Sequence, residues 1–448
     1  MPAYVCSNCG ASFDSWSGRC RQCGEWNTLE EQLSVAAVAG AVSHGHTLKP
    51  QSVRQSVTKD VSRLKSGIQA VDEVFGGGIV TGSVNLIAGQ PGIGKSTLLL
   101  QLAHAVAATA PVLYISGEES AHQIGLRAER LGTTKRDLQL ATSTSADDIA
   151  ATVAAGAYKL VIVDSIQTVS VGAIASSAGT VSQITNSTQL ITMAAKQSST
   201  AVILVGHVTK EGSIAGPKVL EHVVDVVLQL EGDVSSGFKL LRAAKNRFGS
   251  TNETGIFEMN DRGLQPVDNP SAALLAERQI SDGSVVLATM EGSRPLLVEV
   301  QALVNRTSYG YPKRAASGFD LNRLNLLVAM LERRTKLKLA EHDIYINIVG
   351  GIALRDPAAD LAICLAVGSA AKGLQLKQNA VVFGEVGLSG EVRRVPFAEK
   401  RLAEAKRLGF DGAIGPQQKG NAAKAPKVAG LYGVSDVRSA LNQFLEKD

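Results

Sequence analysis

Residues 84–97 read VNLIAGQPGIGKST, an apolar run that stops at a glycine-rich loop and leads into the apolar text LLLQLAHAVA at 98–107. Gly89, Gly92 and Gly94 stand where a side chain would obstruct a backbone closing around phosphate oxygens. Gln90, Pro91 and Ile93 complete the loop, and Lys95 supplies a positive charge. The hydroxyl of Ser96 is placed to hold Mg2+, with Thr97 supporting the same cradle. A helix beginning here aims the positive end of its dipole at the phosphates. A strand, this loop spacing and a helix in succession predict a P-loop site that takes ATP with Mg2+ and hydrolyses it.

Outward from the loop, short and wholly apolar strands (VLYIS at 112–116, LVIVDS at 160–165, AVILVGH at 201–207) alternate with helical text. That alternation predicts an α/β fold whose parallel sheet is covered on both faces. The stretches 223–233, 238–249 and 255–261 read as consecutive strands with turns, an antiparallel extension of that sheet. From residue 263 a second, α+β module is expected, with strand text at 284–303, helical text at 320–334, a strand at 343–349 and a helix at 357–372. The length of 448 residues demands more than one core, since single cores stop growing near ~250–300 residues. The domains expected are a knob at 1–28, a linker at 29–60, the P-loop core at 61–262 and the second module at 263–448.

Hydrolysis requires carboxylates near the phosphates. Asp164 ends the strand KLVIVD, where it would orient Mg2+ through the water shell of the ion. In SGEES, Glu118 could accept a proton from attacking water. Glu119 is equally acidic, and the residues alone do not choose between the two.

Cys6-x-x-Cys9 and Cys20-x-x-Cys23 are tight pairs separated by 10 residues, a spacing that brings four thiolates to one tetrahedral Zn2+. With cysteine at all four corners no position is left for water, so a structural ion is expected. The fifth cysteine, Cys364 in LAICLAV, reads as a core residue. No apolar run approaches the ~18 residues of a membrane helix, and the first residues lack a signal peptide. A cytoplasmic protein with no membrane partner is expected. The net charge of +4 does not by itself announce a nucleic-acid binder.

These residues resemble the bacterial RadA (Sms) DNA-repair family. The resemblance rests on CSNCG and CRQCG, on SGIQAVDEVFGGGIVTGSVNLIAGQPGIGKST at 66–97, on YISGEES at 114–120 and on KNRFG at 245–249, and it covers essentially the whole chain. It implies a RecA-like ATPase core between an N-terminal zinc finger and a C-terminal Lon-protease-like domain. It favours Glu118 over Glu119 as the water-activating carboxylate. It makes His207 a sensor of the γ-phosphate, coupled to a DNA-binding loop near 208–220. It implies that Lys245 and Arg247 of KNRFG reach the nucleotide of a neighbouring subunit in a ring, most simply a hexamer.

Where a Lon peptidase carries its serine nucleophile and lysine base, the resemblance places Ala358 and Ala398, so no peptidase activity is expected; Lys400 lies two residues from the position of the base. The basic text around Arg294, Arg306, Lys313 and Arg314 with Tyr309 and Tyr311, then Arg333, Arg334, Lys336 and Lys338, suits single-stranded DNA. The implied function is a DNA-stimulated ATPase in recombinational repair, acting on single-stranded and branched DNA beside the RecA recombinase and promoting branch migration. The alternatives are a nucleotide-gated binding module without translocation and, more remotely, an ATP-dependent protease.

Overall fold

The computed structural model describes residues 3–9, 11–35, 43–46, 52, 62–134, 138–207, 219–232, 238–308, 310–417 and 430–445. The chain divides into two compact units, Met1–Val61 and Ser62–Asp448.

In the first unit, β1 (Ala3–Cys6), β2 (Ser12–Phe13), β3 (Leu29–Val35) and β4 (Ser43–His46) form an antiparallel sheet in the order β2-β1-β3-β4. Strands β3 and β4 fall within the stretch expected to be a linker at 29–60. The text LEEQLSV carries no alternating apolar face, so the period-2 signal is missing and pairing with β1 makes the strand instead. Among the described residues, the core of this unit is Cys6, Cys20 and Leu29, flanked by Tyr4, Phe13 and Cys23. Trp16 and Trp26 stay outside it, 60% and 67% exposed, with the Arg19 guanidinium 5.7 Å from the Trp26 ring.

The second unit opens with β5 (Arg63–Leu64) paired to β6 (Ile79–Val80). A nine-stranded sheet follows: β7 (Val84–Gly89), β8 (Val112–Ser116), β9 (Leu138–Thr142), β10 (Leu160–Asp164), β11 (Ala201–His207), β12 (Val226–Glu231), β13 (Phe238–Asn246), β14 (Thr254–Asn260) and β15 (Gly263–Pro266). Its order is β15-β14-β13-β12-β7-β11-β10-β8-β9. Every residue of β7, β8 and β10 is buried, because side chains that alternate along each strand enter a core on either face. Ile87, Ile162 and Ile203 join the core around Leu98 and Leu102. Leu86, Val163 and Leu204 join the other, around Ile184 and Ile191.

Strand β12 runs parallel to β7 and antiparallel to β13, so the antiparallel extension starts one strand later than expected. With β15 the sheet runs to Pro266, past the expected boundary at 262.

The second module has a seven-stranded sheet built from β16 (Ser284–Glu291), β17 (Arg294–Arg306), β18 (Arg314–Ser317), β19 (His342–Ile348), β20 (Ala380–Val382), β23 (Gly412–Pro416) and β24 (Leu431–Val434). The order is β18-β19-β17-β16-β20-β23-β24, with a separate hairpin of β21 (Glu385–Val386) and β22 (Val392–Arg393). Mixed parallel and antiparallel pairing makes it α+β. The helix Ala359–Lys372 is buried from Ala359 to Ser369. Its one buried carboxylate, Asp360, receives both arms of the Arg323 guanidinium and the Val386 N–H; a charge that deep requires such partners. Among the described residues no helix is long and apolar enough to cross a membrane.

Candidate functional site

The P-loop is a backbone device, and the chain shapes it with glycine where only glycine fits. Gly94 caps the helix Lys95–Val106 at φ 111°, in the left-handed region that favours glycine. At Gly89 a Cβ would stand 2.7 Å from the carbonyl oxygen of Leu230 on β12. Gln90, Pro91 and Gly92 are exposed while Ile93 is buried in the core, anchoring the loop.

Four side chains converge at the carboxyl ends of the parallel strands. Lys95 is 5% exposed, and its Nζ donates to the carbonyls of Gly89 at 2.9 Å and Gln90 at 3.0 Å. The same Nζ lies 3.2 Å from His207 Nδ1. Burial lowers the Lys95 pKa, against the opposing pull of the nearby Asp164 and Glu118 carboxylates. His207 Nε2 is 3.6 Å from Glu118 Oε1, which also accepts from the Ser165 hydroxyl. Asp164 Oδ2 accepts from Tyr114 Oη at 2.6 Å. Burial, reinforced by Asp164, holds the Tyr114 phenol protonated, its pKa well above the ordinary value.

The two glutamates that the residues alone leave unresolved point to different partners. Glu118 faces His207 and Ser165, whereas Glu119 is paired with Arg127 on the following helix. Tyr114, Ser165 and Arg127 are absent from the sequence reading. Tyr114 sits in an apolar strand where it counts as one more hydrophobe, and only the pairing of β8 with β10 brings its hydroxyl to Asp164.

Lys245 and Arg247 do not join this cluster. Lys245 Nζ donates to the carbonyls of Glu221 and Val224, and Arg247 Nη1 to Asp225 Oδ1 at 3.0 Å. Both lie where Val226 pairs with Asn85 and Asn246, at the start of β7. The P-loop lies at its other end, roughly 13 Å away at ~3.3 Å per residue. Most of the loop expected at 208–220 lies outside the described residues, as does Tyr309.

In the first unit the sulfurs of Cys6, Cys9, Cys20 and Cys23 all lie within 4.8 Å of one another. The Cys6–Cys23 and Cys9–Cys20 sulfur separations are 3.6 and 3.7 Å. Tetrahedral zinc with Zn–S bonds of about 2.3 Å places its sulfurs roughly 3.8 Å apart, so the four cysteines fit Zn2+.

In the second module Ala358 is fully buried and shares an apolar cluster with Ala398. Beside them Arg401, 1% exposed, donates to Asp356 Oδ2 at 2.8 Å and to the Ala288 carbonyl at 2.6 Å. Lys400 instead reaches the Ser293 carbonyl. Of the basic residues, Arg294 is tied to the Asp268 carbonyl, Arg306 is 3.7 Å from Glu341, and Tyr311 is 87% exposed.

The family described as AAA domain matches residues 48–213, the rubredoxin metal binding domain residues 4–31, and the subunit ChlI of Mg-chelatase residues 325–419. Over its length the chain is 45% identical to the DNA repair protein RadA of Pseudomonas aeruginosa, covering 99% of this chain and 98% of that protein. Identity to the RadA of Bacillus subtilis is 45%, and to that of Escherichia coli 41%, each with the same 99% and 98% coverage. The chain therefore belongs to the RadA family of DNA repair proteins, with a RecA-like P-loop ATPase core, an N-terminal four-cysteine zinc ribbon and a C-terminal ChlI- and Lon-like domain.

Proposed function

We propose that the chain is a DNA-stimulated ATPase of recombinational repair, a ring-forming motor that moves along single-stranded DNA and promotes branch migration beside RecA in the cytoplasm. The observation that carries the reading is the convergence of Lys95, Glu118, Asp164 and His207 at one end of the parallel sheet. ATP entering the P-loop draws Lys95 from the Gly89 and Gln90 carbonyls to its phosphates. Glu118 accepts a proton from the attacking water, and His207, between Lys95 and Glu118, registers whether a γ-phosphate is present. Mg2+, held by Ser96 and through its water shell by Asp164, would offset phosphate charge.

Lys245 and Arg247 sit too far from the P-loop of their own chain, which favours action on a neighbour's nucleotide in a closed, six-membered arrangement; heterologous contacts close such rings. Opposed charge then builds on the transferred group beside a planar guanidinium. The zinc ribbon is structural, and the Lon-like domain, with Ala358 and Ala398 at the peptidase positions, holds DNA rather than cutting peptides.

The decisive measurement is ATP hydrolysis with and without single-stranded DNA across a salt series, for the native chain, Lys95→Ala and Glu118→Gln. DNA should stimulate the native rate, with the effect weakening as salt rises. Lys95→Ala should lose nucleotide binding and Glu118→Gln should keep it, with turnover down about 10²- to 10⁴-fold. A native rate indifferent to DNA would favour a nucleotide-gated binding module instead.

A further inference from the structure

The ATPase core and the C-terminal domain meet behind the P-loop, around a cavity of about 360 Å3. Gly89, Gln90 and Leu230 form one wall; Gly351, Ala353 and Arg355 of the C-terminal domain form the other. Strand β12 sets the first wall, because Leu230 lies opposite Gly89 and its carbonyl leaves no room for a Cβ there.

The next residue, Glu231, is held from both domains. Its Oε2 is 3.4 Å from Arg242 Nη1 of the core and its Oε1 is 3.5 Å from Arg355 Nη2. Arg242 turns its other nitrogen to Glu291 Oε2 at 2.5 Å. Glu291 ends β16 in the C-terminal domain and is 6% exposed. Burial raises its pKa, and the nearby Arg242 and Arg355 guanidinium groups oppose that rise. Four charges thus run from the strand behind the P-loop into the other domain, with Arg242 and Glu231 each shared between two partners, so that removing one end weakens the hold on the next.

Lys95 gives this chain of contacts a link to the nucleotide. In this structure it holds the carbonyls of Gly89 and Gln90, residues that border the cavity. A phosphate that draws Lys95 away frees both carbonyls and lets that backbone shift against β12.

We infer that Glu291 and Arg355 are positioning residues for ATP binding: from the C-terminal domain they fix Glu231 and Arg242, hence β12, hence the Gly89–Gln90 backbone. The inference rests on the P-loop of this chain taking ATP. It assigns the domain a part in nucleotide affinity, and by linkage nucleotide must act back on the segment 351–356.

The test uses the full chain with Glu291→Gln, Arg355→Ala and Arg355→Lys, reading the Kd of a fluorescent ATP analogue, KM and kcat for ATP, and the Tm. Glu291→Gln should weaken binding about tenfold and Arg355→Ala about threefold, with KM rising by the same factor and kcat steady, since uniform binding alone is lost. Arg355→Lys should stay near native. Because the Arg355 side chain is 70% exposed, Arg355→Ala should fold even if Glu291→Gln does not. Native affinity in Arg355→Ala, or a fall in kcat at constant KM, overturns the inference. Hydrogen exchange supplies a second readout: nucleotide should alter exchange at residues 351–356 of the native chain, and unaltered exchange there also overturns it. A native chain that binds no nucleotide would instead overturn the P-loop reading, and the inference with it.

Discussion

The nucleotide end of the nine-stranded sheet and the Ala358–Ala398 cluster of the C-terminal domain are both places where a strand or turn hands the chain to a helix, and they treat polar groups in opposite ways. At the first, Glu118 and His207 are 43% and 30% exposed at the side chain, close to Lys95 yet open to a ligand. At the second, Ala358 and Ala398 share an apolar cluster, and the nearby charge, Arg401, is buried against Asp356 and a carbonyl. One site keeps Glu118 and His207 where substrate can reach them. The other holds Arg401 as internal support. A buried charge that is fully paired thus serves stability, whereas one left near the surface beside other charges is available to a ligand.

The largest test of that contrast is Asp356→Ala, which leaves Arg401 buried without its carboxylate. It should cost about 3–5 kcal/mol, read as a lower denaturant midpoint, with no direct effect on residues of the nucleotide cluster. A stability close to native would mean that the buried pair supports little. Tyr114→Phe, at the nucleotide end of the sheet, should lower Tm by a few degrees, less than Asp356→Ala. It removes a hydrogen bond to a carboxylate, worth roughly 1.5–3 kcal/mol, so the Mg2+ concentration that half-saturates nucleotide binding should rise about tenfold; an unchanged Mg2+ midpoint would make the contact purely structural. The smallest effect belongs to Ala358→Ser. A hydroxyl beside a methyl-bearing Ala398 has no base, so peptide cleavage should stay undetectable, and any ATP-dependent cleavage would break the comparison.

The fold class was legible because buried parallel strands announce themselves: VNLIAG, VLYIS and LVIVD are apolar at every position but one or two. The P-loop and the four cysteines were equally plain, since fixed spacing within a few residues carries their chemistry. Contacts set by sheet order were hidden. Tyr114 meets Asp164 only because β8 lies beside β10, and Glu231 meets Arg355 across more than a hundred residues of chain. Strands β3 and β4 were hidden for a local reason, their polar text, and β12 for a topological one, since apolar alternation does not say whether a neighbour runs parallel.

The placement of Trp16 and Trp26 has an optical consequence. They are the only two tryptophans of the chain, both on the surface of the zinc-ribbon unit. Light excited selectively at tryptophan is thus emitted by a small fraction of the molecule, from indoles already in contact with water. The ATPase core and the C-terminal domain could melt while that emission stayed nearly constant, and release of zinc could change it while both remained folded. The same dark background makes a single tryptophan introduced at the wall of the cavity, for example Ala353→Trp, distinguishable from the native pair by its blue-shifted emission.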